Sequence, residues 1–325
     1  MIIIAIMLPN NDPTRKIERG YPNLDIIKES IKALYKHLPN QRIEEFKNSI
    51  EPNAVSIDYA DDITIAVHKL ASKIAQHLHL PVGSILVNFR ISLQYAGQVE
   101  LTDQNDYLID LHERYREDQR DIAAILAHEI THVFLHRTKL GFPTTQDNEI
   151  LTDTAAVYLG VGWTCLNSFR IMVEDLPITG VVGSTNMTIM QASKVGYLTP
   201  EEFGYVLAKR SLVFKEKIDR WLTLQAREMY QVGLRMAMAD YRCPPLRSCG
   251  LWRRMLYYWY RWRVSRLGIR GSSVTFKGYQ LELSGSTIKV RFDCPVCFQK
   301  LRVPAYKGAI KVECSVCKTT LDCRT

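Results

Sequence analysis

Two pairs of cysteines near the carboxyl end constrain the fold of this chain more than any other feature of its sequence. Cys294 and Cys297 form one Cys-x-x-Cys pair, and Cys314 and Cys317 form a second pair after sixteen intervening residues. The two-residue spacing lets both thiolates of a pair face one ion, and four thiolates complete the tetrahedral coordination that zinc prefers. Because four thiolates leave no open position, we predict a structural zinc site. A redox dithiol is the alternative interpretation of either pair taken singly.

The sequence around these cysteines is typical of short β-hairpins. Residues from Val274 to Phe292 alternate between apolar and polar, which predicts a hairpin that turns at residues 284–286. The apolar residues between the two pairs are candidates for a small core: Leu301, Val303, Ile310 and Val312. So small a core cannot stabilise a domain alone, and we expect the metal to do so. With its four cysteines, the module resembles a zinc ribbon.

The remaining cysteines and the amino terminus bear on location. The cysteines outside the two pairs are scattered, which predicts free thiols in a reducing compartment rather than a disulfide framework. They are Cys165, Cys243, Cys249 and Cys323. The apolar run from Met1 to Pro9 lacks a basic flank and is too short to span a bilayer, so we interpret it as a buried first strand. We predict no transmembrane segment and a cytoplasmic location.

Positive charge is concentrated in the last quarter of the chain. Residues 241–325 contain 17 Lys and Arg against 4 Asp and Glu, whereas the whole chain has a formal net charge of +8. From Trp252 to Arg263, aromatic residues alternate with arginines. Aromatic rings stack on bases and arginines pair with phosphates, so residues 252–325 are a candidate surface for nucleic acid. The alternatives are an acidic protein partner, a membrane-surface helix, and burial of the aromatic rings beside solvated arginines.

Helical patterns predominate in the first 240 residues. We predict helices at residues 24–37, 61–79, 118–137 and 145–159, and strands at residues 84–94 and 98–111. The second of these strands is more polar and has a likely turn at Asn105 and Asp106. The sequence Thr199-Pro200-Glu201-Glu202 has the spacing of a capping box with proline at the first helical position. This pattern predicts a long helix that runs towards Ala239. The combination of helices with a few strands indicates an α+β fold.

The helix predicted at residues 118–137 contains His128-Glu129-Ile130-Thr131-His132. Residues four apart share one face of a helix, so His128 and His132 can present imidazole nitrogens to one zinc ion. A carboxylate beside the metal, as Glu129 would be, can take a proton from a metal-activated water and pass it to the leaving group. We therefore predict hydrolysis with Glu129 as the general base. The alternatives are a buried helix whose histidines only form hydrogen bonds, and a pseudoenzyme that retains the metal.

The next predicted helix contains Glu149 and Asp153, which are also four residues apart. This spacing allows Glu149 to reach the metal while Asp153 forms a hydrogen bond with a ligand histidine. The two helices together resemble the thermolysin-type gluzincins. The matching pattern is His128-Glu129-x-x-His132 followed by Asn148-Glu149-x-x-Thr152-Asp153. The resemblance implies that Glu149 is the third ligand of a catalytic zinc and that Asp153 orients a histidine.

The first helix also resembles that of the compact ImmA/IrrE metallopeptidases, and the matching residues run from about Ile122 to Gly160. His136 continues the four-residue spacing, but three such histidines span about 12 Å along a helix, too far for one ion about 2.0–2.1 Å from each nitrogen. We therefore exclude His136 as a ligand. His136 and Tyr158 are kept as candidate contacts to substrate or to an oxyanion.

These patterns predict a zincin-like metallopeptidase domain at residues 1–240, a basic aromatic linker at 241–272, and a β-hairpin with a zinc ribbon at 273–325. The first functional hypothesis is a peptidase with one catalytic and one structural zinc ion. The resemblance to ImmA/IrrE proteins implies cleavage of a cytoplasmic regulatory protein. The second hypothesis is a zinc-stabilised nucleic-acid-binding or adaptor protein with a vestigial His-Glu-x-x-His site. The complete ligand set favours the first hypothesis, and the charge of the tail favours the second.

Overall fold

The computed structural model describes residues 2–7, 17–57, 62–81, 85–101, 106–177, 186–267, 273–284, 287–305 and 308–325. The chain divides into two compact units. The first unit comprises Met1–Ser30 and Glu44–Gly233, and the second comprises Ile31–Ile43 and Leu234–Thr325. Helices and strands are mixed along the chain, and the carboxyl-terminal region is rich in strands. The predicted α+β class is therefore confirmed.

The helices of the described residues are α1 (Leu24–His37), α2 (Asn40–Glu45), α3 (Pro52–Val55), α4 (Ile63–His77), α5 (Ile122–Arg137), α6 (Thr145–Tyr158), α7 (Trp163–Asn167), α8 (Pro200–Phe214), α9 (Leu224–Asp240) and α10 (Leu251–Leu267). The strands are β1 (Ile2–Met7), β2 (Ile85–Arg90), β3 (Tyr95–Leu101), β4 (Tyr107–His112), β5 (Arg170–Pro177), β6 (Asn186–Ser193), β7 (Ser273–Phe276), β8 (Tyr279–Ser284), β9 (Thr287–Asp293), β10 (Lys300–Pro304), β11 (Ala309–Glu313) and β12 (Thr320–Arg324). No helix in these described ranges is long and apolar enough to cross a membrane.

The main sheet of the first unit has the strand order β1-β3-β4-β2. Its neighbours are antiparallel except for β2 and β4, which are parallel. The apolar amino terminus forms β1, as predicted, while the predicted burial of its side chains lies outside the described side chains. Residues 98–111, predicted as a strand with a likely turn at Asn105 and Asp106, contain the end of β3 at Leu101 and the start of β4 at Tyr107, its antiparallel neighbour. Residues 102–105 lie outside the described residues.

Helix α5 lies in the core of the first unit and packs against β3, α4 and α6. Nearly all of its side chains are buried, on every side of the helix. An apolar helix without a polar face is stable only when other elements cover it completely. Its amino-terminal end is held by Asp121, whose carboxylate accepts hydrogen bonds of 2.8 and 2.7 Å from the Arg170 guanidinium. The core thus fixes this helix along its whole length.

Helix α8 begins as predicted but ends much earlier. The Thr199 side chain accepts a hydrogen bond from the Glu202 backbone, and the Glu202 carboxylate accepts one from the Thr199 backbone. The prediction of one helix towards Ala239 is wrong, because Lys215 adopts a left-handed conformation with φ of 55°. This turn lets the Glu216 carboxylate accept a hydrogen bond of 3.1 Å from the buried Arg210 side chain. Residues six apart in a continuous helix would point in different directions.

The second unit contains an antiparallel sheet in the order β10-β9-β8-β7 and a separate hairpin of β11 and β12. Strands β8 and β9 pair up to Ser284 and Thr287, as the predicted hairpin requires, and the turn residues 285–286 lie outside the described residues. An additional hairpin joins β7 to β8. Residues 251–267, within the predicted linker, form helix α10, which packs against β8 and β9. The cysteines of the described chain are all free, including the four outside the pairs.

Candidate metal centres

His128 and His132 lie one turn apart in the middle of α5, and almost none of their surface is exposed. Their ring centroids are 4.6 Å apart. Polar groups that leave water need partners inside the protein, since burial without a hydrogen bond or an ion is unfavourable. The apolar residues that surround them in α5 supply none. The two imidazoles must therefore be satisfied by groups on another element.

Helix α6 supplies those groups. The Thr144 side chain caps its amino terminus by accepting a hydrogen bond of 3.1 Å from the Asp147 backbone. The Asn148 side chain accepts a hydrogen bond of 2.7 Å from the Phe142 backbone, and this contact fixes the preceding loop. With its first turn held in this way, α6 packs along α5 and buries Glu149 and Asp153 beside the two histidines.

Three ligand atoms converge in what we term the histidine–glutamate centre, formed by His128, His132 and Glu149. The Nε2 atom of His128 lies 2.9 Å from Nε2 of His132 and 3.1 Å from Oε2 of Glu149. The third distance, from His132 Nε2 to Glu149 Oε2, is 3.3 Å. Ligand atoms about 2.0–2.2 Å from a tetrahedral zinc ion are separated by about 3.3–3.6 Å. These three residues could therefore hold a metal ion.

The hydrogen bonds behind the imidazoles indicate which nitrogen atoms carry hydrogen. Nδ1 of His128 lies 2.8 Å from Oδ1 of Asp153, and because a carboxylate only accepts, this nitrogen is the donor. The Thr152 hydroxyl donates to the Asn148 carbonyl at 2.9 Å, so it has to accept from Nδ1 of His132 at 3.1 Å. A metal ion would replace the hydrogen on Nε2, and each imidazole would then present the lone pair of Nε2 to that ion. Three converging atoms that each offer a lone pair form the ligand set that a metal cation requires.

The pKa values at the centre follow from the same contacts. Burial by itself raises the pKa of Glu149, but hydrogen bonds from His128 and His132 outweigh burial and lower the pKa to about 2. Burial lowers the pKa of His132. Burial also acts to lower the pKa of His128, but the charge and hydrogen bond of Asp153 outweigh it and raise the pKa well above its usual range. The low pKa of Glu149 keeps its carboxylate negatively charged, which favours a cation at the centre.

Glu129 is completely buried between α5 and β3. A Cβ atom added at Gly97 of β3 would lie 3.3 Å from Oε1 of Glu129 and 2.5 Å from Cγ2 of Ile125. Strand and helix can thus approach closely only because residue 97 lacks a side chain. Sequence reasoning did not assign this role to Gly97, although a glycine inside a strand pattern is a signal of close backbone approach.

A loop after β6 encloses the far side of the centre. The backbone amides of Tyr197 and Leu198 donate hydrogen bonds of 2.5 and 3.1 Å to Oδ2 of Asp153. The Tyr197 ring stacks on His128, with centroids 6.1 Å apart. Gly196 has a φ of 94° and touches the Asp153 carboxylate so closely that a Cβ atom would lie 2.7 Å from it. The sequence pattern did not reveal this contact, which joins residues far apart in the chain.

The structure does not bring the two candidate contact residues into the group of ligand atoms. His136 lies in the last turn of α5, one turn beyond His132, and the metal-capable group found in the described residues is formed without it. Tyr158 lies at the end of α6, and its ring packs edge-on against Phe214 with centroids 6.2 Å apart. Tyr158 is nine positions after Glu149, which puts the two on opposite sides of a helix.

The four paired cysteines form a second centre, which we term the four-cysteine centre, in the second unit. The Sγ atoms of Cys294 and Cys317 are 3.6 Å apart, and those of Cys297 and Cys314 are 3.5 Å apart. Each of these distances joins one pair to the other, so both pairs converge on one point. Sulfur ligands about 2.3 Å from a tetrahedral zinc ion are separated by about 3.8 Å. This group, too, could hold a metal ion.

The two cysteine pairs are presented by backbone loops of the same design. In each loop the first cysteine's carbonyl accepts a hydrogen bond of 2.9 Å from the amide four residues later. These amides belong to Phe298 and Lys318, which have left-handed φ values of 57° and 59°. This conformation costs a residue with a side chain about 1–2 kcal/mol. The matching geometry of two unrelated loop sequences indicates that the spacing of the cysteines determines the loop.

Comparisons of this chain with protein-family models, with curated proteins and with solved structures found no match. The assignment of a function therefore depends on the residues and the geometry of these two centres.

Proposed function

We propose that this protein is a zinc-dependent metallopeptidase of the gluzincin type that cleaves a cytoplasmic, regulatory protein. One observation carries the proposal: Nε2 of His128, Nε2 of His132 and Oε2 of Glu149 lie 2.9–3.3 Å from one another inside the core. Two histidines and a carboxylate form a ligand set typical of catalytic zinc, because a fourth position stays open for water or substrate. The four-cysteine centre is closed and would have a structural role.

A zinc ion held by these three residues would lower the pKa of a coordinated water to about 7 and would polarise a carbonyl oxygen. Glu129 follows His128 in α5, and we assign its carboxylate the role of general base. It would take the proton of the attacking water and deliver it to the departing amine. Asp153 and Thr152 hold the two imidazoles in the tautomer that leaves Nε2 available. Its position directly after the ligand His128, in the buried middle of α5, supports this role.

The cytoplasmic location is supported by the four cysteines outside the four-cysteine centre, which form no disulfide and suit a reducing compartment. A protein substrate is supported by the resemblance to gluzincins and ImmA/IrrE proteins. The adaptor hypothesis, in which the centre is vestigial, predicts the same fold and the same bound metal. The two hypotheses are distinguished by a substitution that abolishes peptide-bond cleavage while the protein still binds zinc.

The substitution Glu129→Gln makes that distinction. It retains the size of the side chain but removes the base, so we expect unchanged zinc content and a cleavage rate lower by about 10² to 10⁴. Cells that produce native or substituted protein would be compared for new protein amino termini by mass spectrometry. Glu117→Gln, at an exposed position of the same unit, is the matched control. If Glu129→Gln yields the same fragments at the full rate with zinc bound, the proposed mechanism is wrong.

A further inference from the structure

Helix α10 of the second unit exposes most of its apolar side chains. Within its described side chains, only Tyr257 and Val264 are buried, and the Tyr257 ring packs against Tyr279 of β8 at a centroid distance of 5.4 Å. Six other large apolar side chains of α10 are between 48% and 80% exposed. They are Leu251, Trp252, Met255, Leu256, Trp259 and Trp262. Large apolar residues concentrated on one exposed helix indicate an interaction surface.

These six residues lie on one side of the helix. At 3.6 residues per turn they occupy an arc of about 140°, and Tyr257 and Val264 lie outside this arc on the side that faces the sheet. The apolar arc extends over more than three turns, from Leu251 to Trp262. Because the helix is anchored by its opposite side, the arc is available to a partner. We call it the α10 face.

Positive charge borders the α10 face. Helix α10 contains five arginines and no acidic residue. The guanidinium groups of Arg263 and Arg266 lie over the rings of Trp259 and Trp262, 5.6 and 5.3 Å from the ring centroids. Long arginine side chains can keep their charge in water or on a phosphate while the rest of the chain covers apolar surface. The face is therefore amphipathic as well as exposed.

An open hollow of about 590 Å³ adjoins α10 on one flank. Three arginines line it, and the other lining residues are uncharged side chains and the last residue of the chain: Arg247, Arg261, Arg324, Tyr258, Gly308, Ala309 and Thr325. Guanidinium groups and a phenol hydroxyl are hydrogen-bond donors that suit phosphate oxygens. The apolar face and the phosphate-compatible hollow thus share one helix and lie side by side.

We propose that the α10 face and this hollow bind the surface of an anionic phospholipid bilayer, with α10 lying in the interface and the arginines contacting lipid phosphates. The chemistry of the face favours lipid over nucleic acid. Leu251, Met255 and Leu256 have no planar ring to stack on a base, but they gain free energy when they leave water for the acyl boundary. Tryptophan suits the same interface. The net positive charge of residues 241–325 complements an anionic leaflet. The proposal does not depend on peptidase activity.

Vesicle sedimentation of the full-length, zinc-loaded protein tests the proposal. We expect binding to vesicles of phosphatidylcholine mixed with phosphatidylglycerol, and much weaker binding to phosphatidylcholine alone. The variant Arg247→Gln/Arg261→Gln/Arg324→Gln should partition roughly 100-fold more weakly, since each basic residue near the surface contributes about a fivefold factor. Its matched control removes three exposed lysines from the first unit. This control is Lys47→Gln/Lys73→Gln/Lys217→Gln, and its binding should stay within a few-fold of native.

Quenching of tryptophan fluorescence by lipids brominated on their acyl chains reports insertion directly. Trp252, Trp259 and Trp262 should be quenched, whereas Trp163 and Trp221 of the first unit supply the unquenched background. Trp252→Gln/Trp259→Gln/Trp262→Gln should abolish sedimentation, with circular dichroism and zinc content as checks of folding. Vesicle binding without quenching would overturn insertion of α10. Tight binding to single-stranded or duplex nucleic acid, with vesicles left unbound, would overturn the proposal in favour of a nucleic-acid surface.

Discussion

The histidine–glutamate centre and the four-cysteine centre bring their ligands together by different means. In the first, the ligands project from α5 and α6, and His128, His132 and Glu149 are almost completely buried in a core of aliphatic side chains. In the second, they lie on two loops beside short strands that share a small core, to which Val290, Phe292 and Leu301 contribute buried side chains. One centre is built into a large core that exists without it. The other centre supplements a small core.

This difference has a thermodynamic consequence. Packing of α5 against β3, α4 and α6 should hold the first unit together whether or not its centre contains an ion. Four thiolates at 3.5–3.6 Å repel one another when ionised, and the two loops have little other reason to meet. A metal therefore orients existing structure in the first case and creates structure in the second.

The largest effect is expected from Cys294→Ser/Cys297→Ser. Structural zinc of this kind contributes an apparent binding free energy of about 10–16 kcal/mol, which is available only to the folded module. We expect the variant to lose one of two zinc equivalents and to lose amide protection over β9–β12 in hydrogen exchange. The helices of the first unit should keep their protection. Cys243→Ser/Cys249→Ser, which removes two unpaired cysteines, should retain both equivalents.

Glu149→Ala tests whether the first unit stays folded when its histidine–glutamate centre loses metal affinity. It leaves two protein ligands at the histidine–glutamate centre, so zinc affinity there should fall far more than the 10–100-fold effect of losing an orienting partner. Because the core does not depend on the ion, the circular dichroism of the first unit should change little. Competition with a chromogenic chelator measures the affinity. Unfolding of the first unit on zinc removal would show that both centres create structure, so that the two would not differ in this respect.

Asp153→Asn and Thr152→Val should have smaller effects on the same centre. Each weakens the hydrogen bond that fixes one imidazole, so we expect zinc affinity to fall by about 10 to 100-fold. Asp153→Asn should have the greater effect, since Asp153 is charged and accepts from Tyr197 and Leu198 as well as His128. The same chelator competition ranks the two variants. Equal effects would indicate that the charge of Asp153 contributes nothing to the centre.

The smallest effect is expected at His77, a largely buried residue of the first unit that is not a ligand of either centre. Burial lowers the pKa of His77 below its ordinary value of 6.5, although a hydrogen bond of 2.9 Å to the Leu159 carbonyl opposes this. The unfolded chain then binds more protons, so the stability contribution is complete above about pH 6.5 and decreases as the pH falls towards the lowered pKa. The free energy of unfolding therefore changes by at most about 1.4 kcal/mol per pH unit through this residue. In urea titrations of the zinc-free protein at several pH values, His77→Gln should make the free energy of unfolding depend less on pH.

Local patterns predicted the elements that carry the ligands, because each depends on residues close in sequence. Helix α1 has the predicted bounds, and α5 and α6 differ from the predicted bounds by a few residues at most. Local patterns failed to predict where a helix ends when contacts between distant residues determine that end. The end of α8 at Lys215 depends on an ion pair between Arg210 and Glu216 and on the Ser49 hydroxyl, more than 150 residues away.

The sequence by itself determined which residues could be ligands. Spacings of two or four residues fix which side chains share a loop or a helix face, and backbone geometry alone ensures this. Only the tertiary structure decided that Glu149 meets His128 and His132, that Gly97 lets β3 approach Glu129, and that Gly196 and Tyr197 close over Asp153. These contacts join elements that are far apart in the chain, and they form only because burying the apolar surface of α5 brings those elements together.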